Sequence, residues 1–289
     1  MTRNLTLLPL LAAALAVPAL GVGALAADAP KPLKALLITG GCCHDYKAQK
    51  DILKNGLEKR LNVVVDQIHV DDDSRKPPLP IYGNPDYAKG YDVVIHDECA
   101  GDVNEPATVA GVLKPHLDGI PGVNLHCAVH AYRSGDRGKV AEKGEARAAW
   151  FEYLGIQSPG HGTKRPIEIA FLPDAASPIT RGMADWKTGD EELYWNLKIW
   201  DDARPLARGK QEKGDADTKE GIIKNNSVVV WTNLYGPQKT RVFTTSLGHD
   251  NKTVQDDRYL DLVARGLLWA CDKLNDDGTP KTGYGPVAK

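Results

Sequence analysis

Three scarcities narrow the field before any motif is read. Only five of the 289 residues are cysteine, Cys42, Cys43, Cys99, Cys127 and Cys271. That number is odd and too small for a disulfide-stapled scaffold, so the fold must hold by its core. The adjacent pair Cys42 and Cys43 is expected as two thiols rather than as a vicinal disulfide. Charge of one sign is lacking too: a net charge of −2 with interspersed signs leaves no basic footprint for nucleic acid. Beyond the N-terminus there is no apolar run long enough to span a bilayer, and no internal repeat.

The N-terminus is different. Arg3 precedes an apolar run from Leu5 to Leu20, interrupted by Pro9 and Pro18, and small residues follow, including Ala24-Leu25-Ala26. This is the layout of a secretory signal cleaved after Ala26, with no cysteine there to make a lipoprotein. Residues 1–26 are therefore expected to be removed, leaving a periplasmic or secreted chain without a stable membrane anchor. About 260 residues remain, enough for one large α/β domain, expected over 33–272, with a Gly-, Pro- and Lys-rich tail over 273–289.

Within that domain, short apolar runs alternate with helical spacing. Leu33–Thr39 reads as a buried strand ending in Gly40-Gly41, Lys47–Leu61 as a helix, Val63–Val70 as a second strand and Tyr91–His96 as a third. Glu105–Leu117 reads as a helix and Gly122–Leu125 as a fourth strand, so the pattern predicts an α/β fold with a mainly parallel sheet flanked by helices. The proline-rich stretch Asp71–Gly90 reads as an excursion. The second half predicts a helix over Gly144–Leu154 and strands over Pro166–Leu172, Glu191–Trp200, Arg204–Arg208, Val228–Thr232 and Arg241–Ser246. A solvated hairpin or loop is expected over Lys210–Lys219, between the third and fourth of these strands, and a last helix over Tyr259–Ala270. These strands and loops are expected to lie over the strand ends.

Five of the eight histidines stand where a strand gives way to a loop: His44, His126, His130, His161 and His249. In an open α/β sheet, ligands bind beyond the carboxyl ends of the strands, and imidazole moves protons near neutrality. These segments are therefore read as one site. His44-Asp45-Tyr46 follows a glycine pair that lets the backbone approach a ligand; the plainer reading is a helix cap by Asp45. His126 and His130, four residues apart, would share a face of a helix, as two metal ligands or as a base and its orienting partner. Tyr132 and Arg133 follow at once. Gly248-His249-Asp250 repeats the arrangement of the first strand, again with capping as the alternative.

Asp97-Glu98 would place carboxylates at the end of the third strand. Glu191-Glu192-Leu193-Tyr194-Trp195 joins carboxylates to aromatic rings, as sugar sites do, although a half-buried strand with a solvated acidic end reads equally well. Cys127 lacks the flanking glycines of a nucleophile elbow, so it is read as a small buried hydrophobe. The acid–base set is accordingly His44, His126, His130, His249 and Glu192. The substrate-binding set is Asp45, Tyr46, Asp97, Glu98, Arg133, Tyr194, Trp195 and Asp250. A divalent metal would draw on His44, His126, His130 and His249. No tightly bound metal is expected, an expectation that three imidazole nitrogens aimed at one point, within roughly 3–4 Å of each other at metal-compatible geometry, would reverse.

Several of these stretches together resemble the ThuA-like family, named for trehalose utilisation. They are Leu36–Gly41 with His44-Asp45-Tyr46, Tyr91–Val94, Asn124–Arg133, Asp190–Tyr194 and Gly236–Trp269, the most specific part being Arg241–Asp250 with Arg265–Ala270. The resemblance implies a flavodoxin-like sheet of the class I glutamine-amidotransferase type and a role with disaccharides or their 3-keto forms. The expected function is thus an exported enzyme that cleaves or transforms a glycoside or keto-glycoside by His/carboxylate acid–base chemistry. Its partner would be a small carbohydrate. The alternatives are a cysteine-dependent amidase or peptidase using Cys127 with His130, and a non-catalytic periplasmic sugar-binding module.

Overall fold

The computed structural model describes residue 1 and residues 30–213 and 221–287. The expected signal segment (beyond Met1) and the charged stretch 214–220 lie outside the described residues. Among those described, no helix is long and apolar enough to cross a membrane.

The first half alternates as its periodicity predicts. β1 (Leu33–Gly41) leads to α1 (Tyr46–Arg60), β2 (Val63–Val70), β3 (Val93–Cys99), α2 (Pro106–Leu117) and β4 (Gly122–Leu125). Then come α3 (Ala149–Leu154), β5 (Ile156–Gln157), β6 (Arg165–Phe171), β7 (Trp186–Glu191), β8 (Lys198–Ile199) and β9 (Arg204–Lys210). The chain continues through β10 (Ser227–Tyr235), β11 (Thr240–Thr245), α4 (Asn251–Val254) and α5 (Asp257–Ala270).

Nine strands form one sheet in the order β2-β1-β3-β4-β11-β10-β9-β6-β7. The five from β2 to β11 are mutually parallel, and β10, β9, β6 and β7 continue the sheet antiparallel. The second-half strands therefore widen the sheet itself. The expected strand Glu191–Trp200 is largely a connection, with β8 its one short strand and an isolated bridge joining Tyr194 to His161.

β1 is apolar on both sides because both faces are covered. Leu33, Ala35 and Leu37 join Leu53 and Leu57 of α1 and Leu262, Val263 and Leu267 of α5 in one core layer. Leu36 and Ile38 face the other way, with Val109, Val112 and Leu113 of α2 and Trp150 and Tyr153 of α3. Residues 273–287 return to the domain: Leu274 is buried, Tyr284 packs on the first layer, and the Tyr284 carbonyl accepts from the Asn62 amide at 3.1 Å.

β3 shows why two adjacent carboxylates part company. It runs to Cys99, three residues beyond the expected end at His96, and is buried throughout. Alternation sends Asp97 to the face of Val93 and Ile95, and Glu98 to the face of Val94 and His96. Glu98 Oε1 meets His96 Nδ1 at 2.8 Å and accepts from the Tyr132 hydroxyl at 2.6 Å, while His96 Nε2 lies 3.1 Å from His116 Nε2. Glu98 thus belongs to an interior polar network. Asp97 is also buried, and burial followed by the Glu98 charge holds its carboxyl well above the usual range.

Candidate active site

Four segments deliver side chains to one point beyond the carboxyl ends of the parallel strands. His44 follows β1, His126 follows β4, His249 follows β11 and Glu192 follows β7. One ligand atom from each lies within 4.8 Å of all the others. Ring centroids separate His44 from His126 by 4.6 Å, His44 from His249 by 4.7 Å, and His126 from His249 by 5.4 Å. Donors of a tetrahedral zinc stand roughly 3.4 Å apart, so closure on an ion needs side-chain shifts of about 1 Å or less.

Local backbone explains the convergence. Gly41 has φ +92°, and a Cβ there would lie 2.2 Å from the Cys99 carbonyl oxygen. Only glycine lets the chain leave β1 against the end of β3. His126 itself takes φ +39° where β4 turns into a 3₁₀ helix over His126–His130. The strain of that strand-to-helix elbow falls on the histidine, not on Cys127. Its Nδ1 lies 2.7 Å from the Ser246 carbonyl, which makes Nδ1 a protonated nitrogen and aims Nε2 at the cluster, as a donor to Glu192 when protonated and as a free lone pair when not. His44 Nδ1 sits 3.4 Å from the His249 carbonyl in the same sense. The loop carrying His249 is held by Glu191, whose fully buried carboxylate accepts from the His249 amide at 3.0 Å and the Asp250 amide at 3.4 Å. Sequence reading gave Glu191 no such role; its single signal was a second carboxylate beside Glu192.

Glu192 is the electrostatic centre. Its Oε2 is 3.4 Å from His126 Nε2 and 3.6 Å from His161 Nε2, and its Oε1 is 3.5 Å from His249 Nδ1. Burial opposes its ionisation, yet hydrogen bonds from His126 and His249 prevail and hold it well below the usual carboxylate range. For His126, burial works against protonation but is outweighed by Glu192 and Glu191, so its pKa rises. Burial, then the neighbouring His126 and His249, depress His44 to about 2. Without an ion the surroundings thus favour the charged forms of His126 and Glu192 and the neutral form of His44.

His130 does not join this group. In a 3₁₀ helix, with about 3 residues per turn, positions four apart diverge. His130 Nε2 turns to the Ser158 hydroxyl at 2.7 Å, and its ring stacks on Tyr194 at 3.9 Å and 4°. The expected shared face of His126 and His130 is therefore absent, and His44, Glu192 and His249 supply the partners instead. His130 still lines the adjoining cavity of about 390 Å³, with His44, Glu192, Tyr194, Arg133 and His161, a size suited to a small molecule. Tyr194, fully buried, points its hydroxyl to within 3.4 Å of His126 Nε2; burial and then Cys127 keep it protonated well above the usual tyrosine range.

The remaining expected residues sit around this centre. Asp45 caps α1 and accepts from Asn251 at 2.8 Å, and Asp250 caps α4; with His44 and His249 they line a shallower recess. Tyr46 is buried against Cys99 and Cys127, outside the cavity lining. Trp195 also stands outside it, with the Lys224 ammonium 4.6 Å from its ring centroid. Arg133 lines the cavity while donating to the carbonyls of His130 at 2.8 Å and Ser158 at 3.1 Å; burial and then Arg137 lower its pKa to about 10.

Sulfur departs from expectation. Cys42 and Cys43 form a vicinal disulfide, not two thiols, with Cys43 at φ +85°. The tight exit from β1 brings the two sulfurs together. Cys42 Sγ lies 3.7 Å from Cys99 Sγ, which is 2.7 Å from Cys127 Sγ. Cys127 is buried, and its hydrogen bond with Cys99, then burial, raise its pKa well above the thiol range. With His130 committed to Ser158, no Cys127–His130 nucleophile pair exists.

Comparison with known proteins agrees with this architecture. No functionally curated protein matches the chain. Among solved structures, a ThuA-like protein from Parabacteroides merdae is similar at TM-score 0.58 and 21% identity, covering 89% of this chain and 98% of its own. A ThuA-like protein from Bacteroides uniformis is similar at TM-score 0.55 and 17% identity, covering 86% and 95%. At these identities the likeness speaks to the fold. The ThuA family model, described as trehalose utilisation, matches residues 34–270, and the chain belongs to that family.

Proposed function

We propose that this protein is an exported enzyme that transforms a carbohydrate at a divalent metal held by His44, His126, Glu192 and His249. Membership of the family implies a carbohydrate-related function; the finer reading is a glycoside or its 3-keto derivative, cleaved or rearranged. The observation that carries it is the convergence of three imidazoles and one carboxylate within 4.8 Å at the edge of a small-molecule cavity. The donor set suits a first-row transition ion, and the His126 Nδ1 contact to the Ser246 carbonyl is the kind of support that fixes a ligating imidazole.

When bound, such an ion would polarise a sugar carbonyl or hydroxyl oxygen. Tyr194 would donate its hydroxyl hydrogen bond to a sugar oxygen, since its proton is retained. His161 is the most open imidazole of the cavity, with 39% of its side chain exposed and Nε2 3.6 Å from Glu192, and would carry protons to and from solvent. His130, tied to Ser158 and stacked on Tyr194, would orient that ring.

The test is a product screen of the mature protein against disaccharides and their 3-keto derivatives, after chelation and after return of zinc, manganese, cobalt or nickel. Turnover that is lost on chelation and restored by one ion is expected. Turnover indifferent to chelation would remove the metal from the reaction. Sugar binding without any product would favour the non-catalytic binding module.

A further inference from the structure

The lining of the cavity carries an unbalanced positive charge. Arg133 is 6% exposed and has no carboxylate partner among the described residues. Its Nε and Nη1 are taken by two backbone carbonyls, and Nη2 has no hydrogen bond to a described residue. Arg75 and Arg137 line the same cavity, and both turn to the half-exposed Asp102, at 3.0 and 3.7 Å. One carboxylate thus serves two guanidinium groups, and the buried third has none. The acidic residue in the lining, Glu192, is engaged by His126, His161 and His249.

A buried guanidinium without a counter-charge is costly, and the planar fork of arginine matches the oxygens of a carboxylate or phosphate. Bracing the His130 and Ser158 carbonyls would account for two of its nitrogens. It would not account for two further arginines lining the same cavity.

Building on the reading of this cavity as a carbohydrate site, we propose that its ligand is an anionic sugar. The carboxylate or phosphate group sits at Arg133, Arg75 and Arg137, while the reacting carbon faces His44, His126, Glu192 and His249. This selects sugar acids or sugar phosphates over neutral sugars. The two arise from the same oxyanion chemistry and are separated by experiment.

The test is titration calorimetry of the mature protein with matched sets of mono- and disaccharides. Each neutral sugar is compared with its uronic acid and its phosphate, with inorganic phosphate as a further probe. The sugar anions are expected to bind about 10- to 100-fold more tightly than their neutral partners, the range for a charge-assisted hydrogen bond in a sheltered site. The tighter of the uronate and phosphate arms identifies the source. Arg137→Gln, at a side chain 38% exposed, should cut that ratio several-fold with the fold intact. Arg133→Lys keeps the charge, loses the fork, and should cut it further. A purely structural Arg133 would leave the ratio unchanged.

Equal or weaker binding of every sugar anion, or inorganic phosphate binding as tightly as the sugar anions, would overturn the proposal. The titrations are repeated on chelated protein, where the arginine-dependent preference should persist. A protein that binds no metal ion yet prefers sugar anions would refute the metal centre alone. One that binds metal but shows no anion preference would refute this inference alone.

Discussion

Replacing Glu191 by glutamine tests whether the position of His249 depends on a buried carboxylate that never touches the ligand. Glu191 is fully buried, and its two oxygens accept from the His249 amide at 3.0 Å and the Asp250 amide at 3.4 Å. Glutamine keeps one acceptor and turns an NH₂ toward the other amide, so one half-buried N–H loses its partner. That orphan costs about 1–3 kcal/mol, and loss of the charge assistance at the remaining bond adds about 1 kcal/mol. The expected destabilisation is about 2–4 kcal/mol, read as a lower urea midpoint at unchanged m-value. Because His249 rides on the same loop, metal affinity measured by calorimetry should fall about 10- to 100-fold, as for other residues that orient ligands. Glu192→Gln is the counterpart: it should weaken metal binding at least as much while moving the urea midpoint less, because Glu192 is partly exposed. Wild-type metal affinity in a Glu191→Gln protein of lowered stability would refute the coupling. Unchanged stability would refute the hydrogen-bond argument beneath it.

Three further outcomes are expected. His126 has a raised pKa and must lose its proton to bind an ion, so affinity should drop about tenfold per pH unit below that raised value and level off above it; a flat profile between about pH 5 and 8 would count against His126 as a ligand. Thiol counting in denaturant should find three reactive cysteines before reduction and five after, given one Cys42–Cys43 disulfide and free Cys99, Cys127 and Cys271; five before reduction would disprove the bridge. Gly41→Ala combines φ +92° with a Cβ 2.2 Å from a backbone oxygen and should cost about 3 kcal/mol or more; a wild-type melting temperature would contradict the account of the β1 exit.

What the linear chain determined was periodicity and punctuation. The apolar runs of β1, β2 and β4 and the helical spacing of α1 and α5 are local signals, and the parallel half of the sheet follows from their alternation. The histidines after β1, β4 and β11 were legible because each stands at a strand end, and in parallel strands those ends share one edge of the sheet. Tertiary structure decided which of them meet. Spacing of four paired His126 with His130, but with a 3₁₀ turn and the left-handed backbone at His126 the His130 ring stacks on Tyr194 and bonds Ser158 while His126 joins the cluster. Asp97 and Glu98 read as a strand-end pair, yet β3 continues to Cys99 and alternation buries them on separate faces. Glu192 and Glu191 arrive from an antiparallel extension whose place in the sheet no local pattern encodes, and their neighbours lie between 57 and 66 residues away in the chain for each amide and imidazole they hold except His161. Contacts of that range depend on the register and twist of the whole sheet, because only the assembled sheet sets the distance between its strand ends.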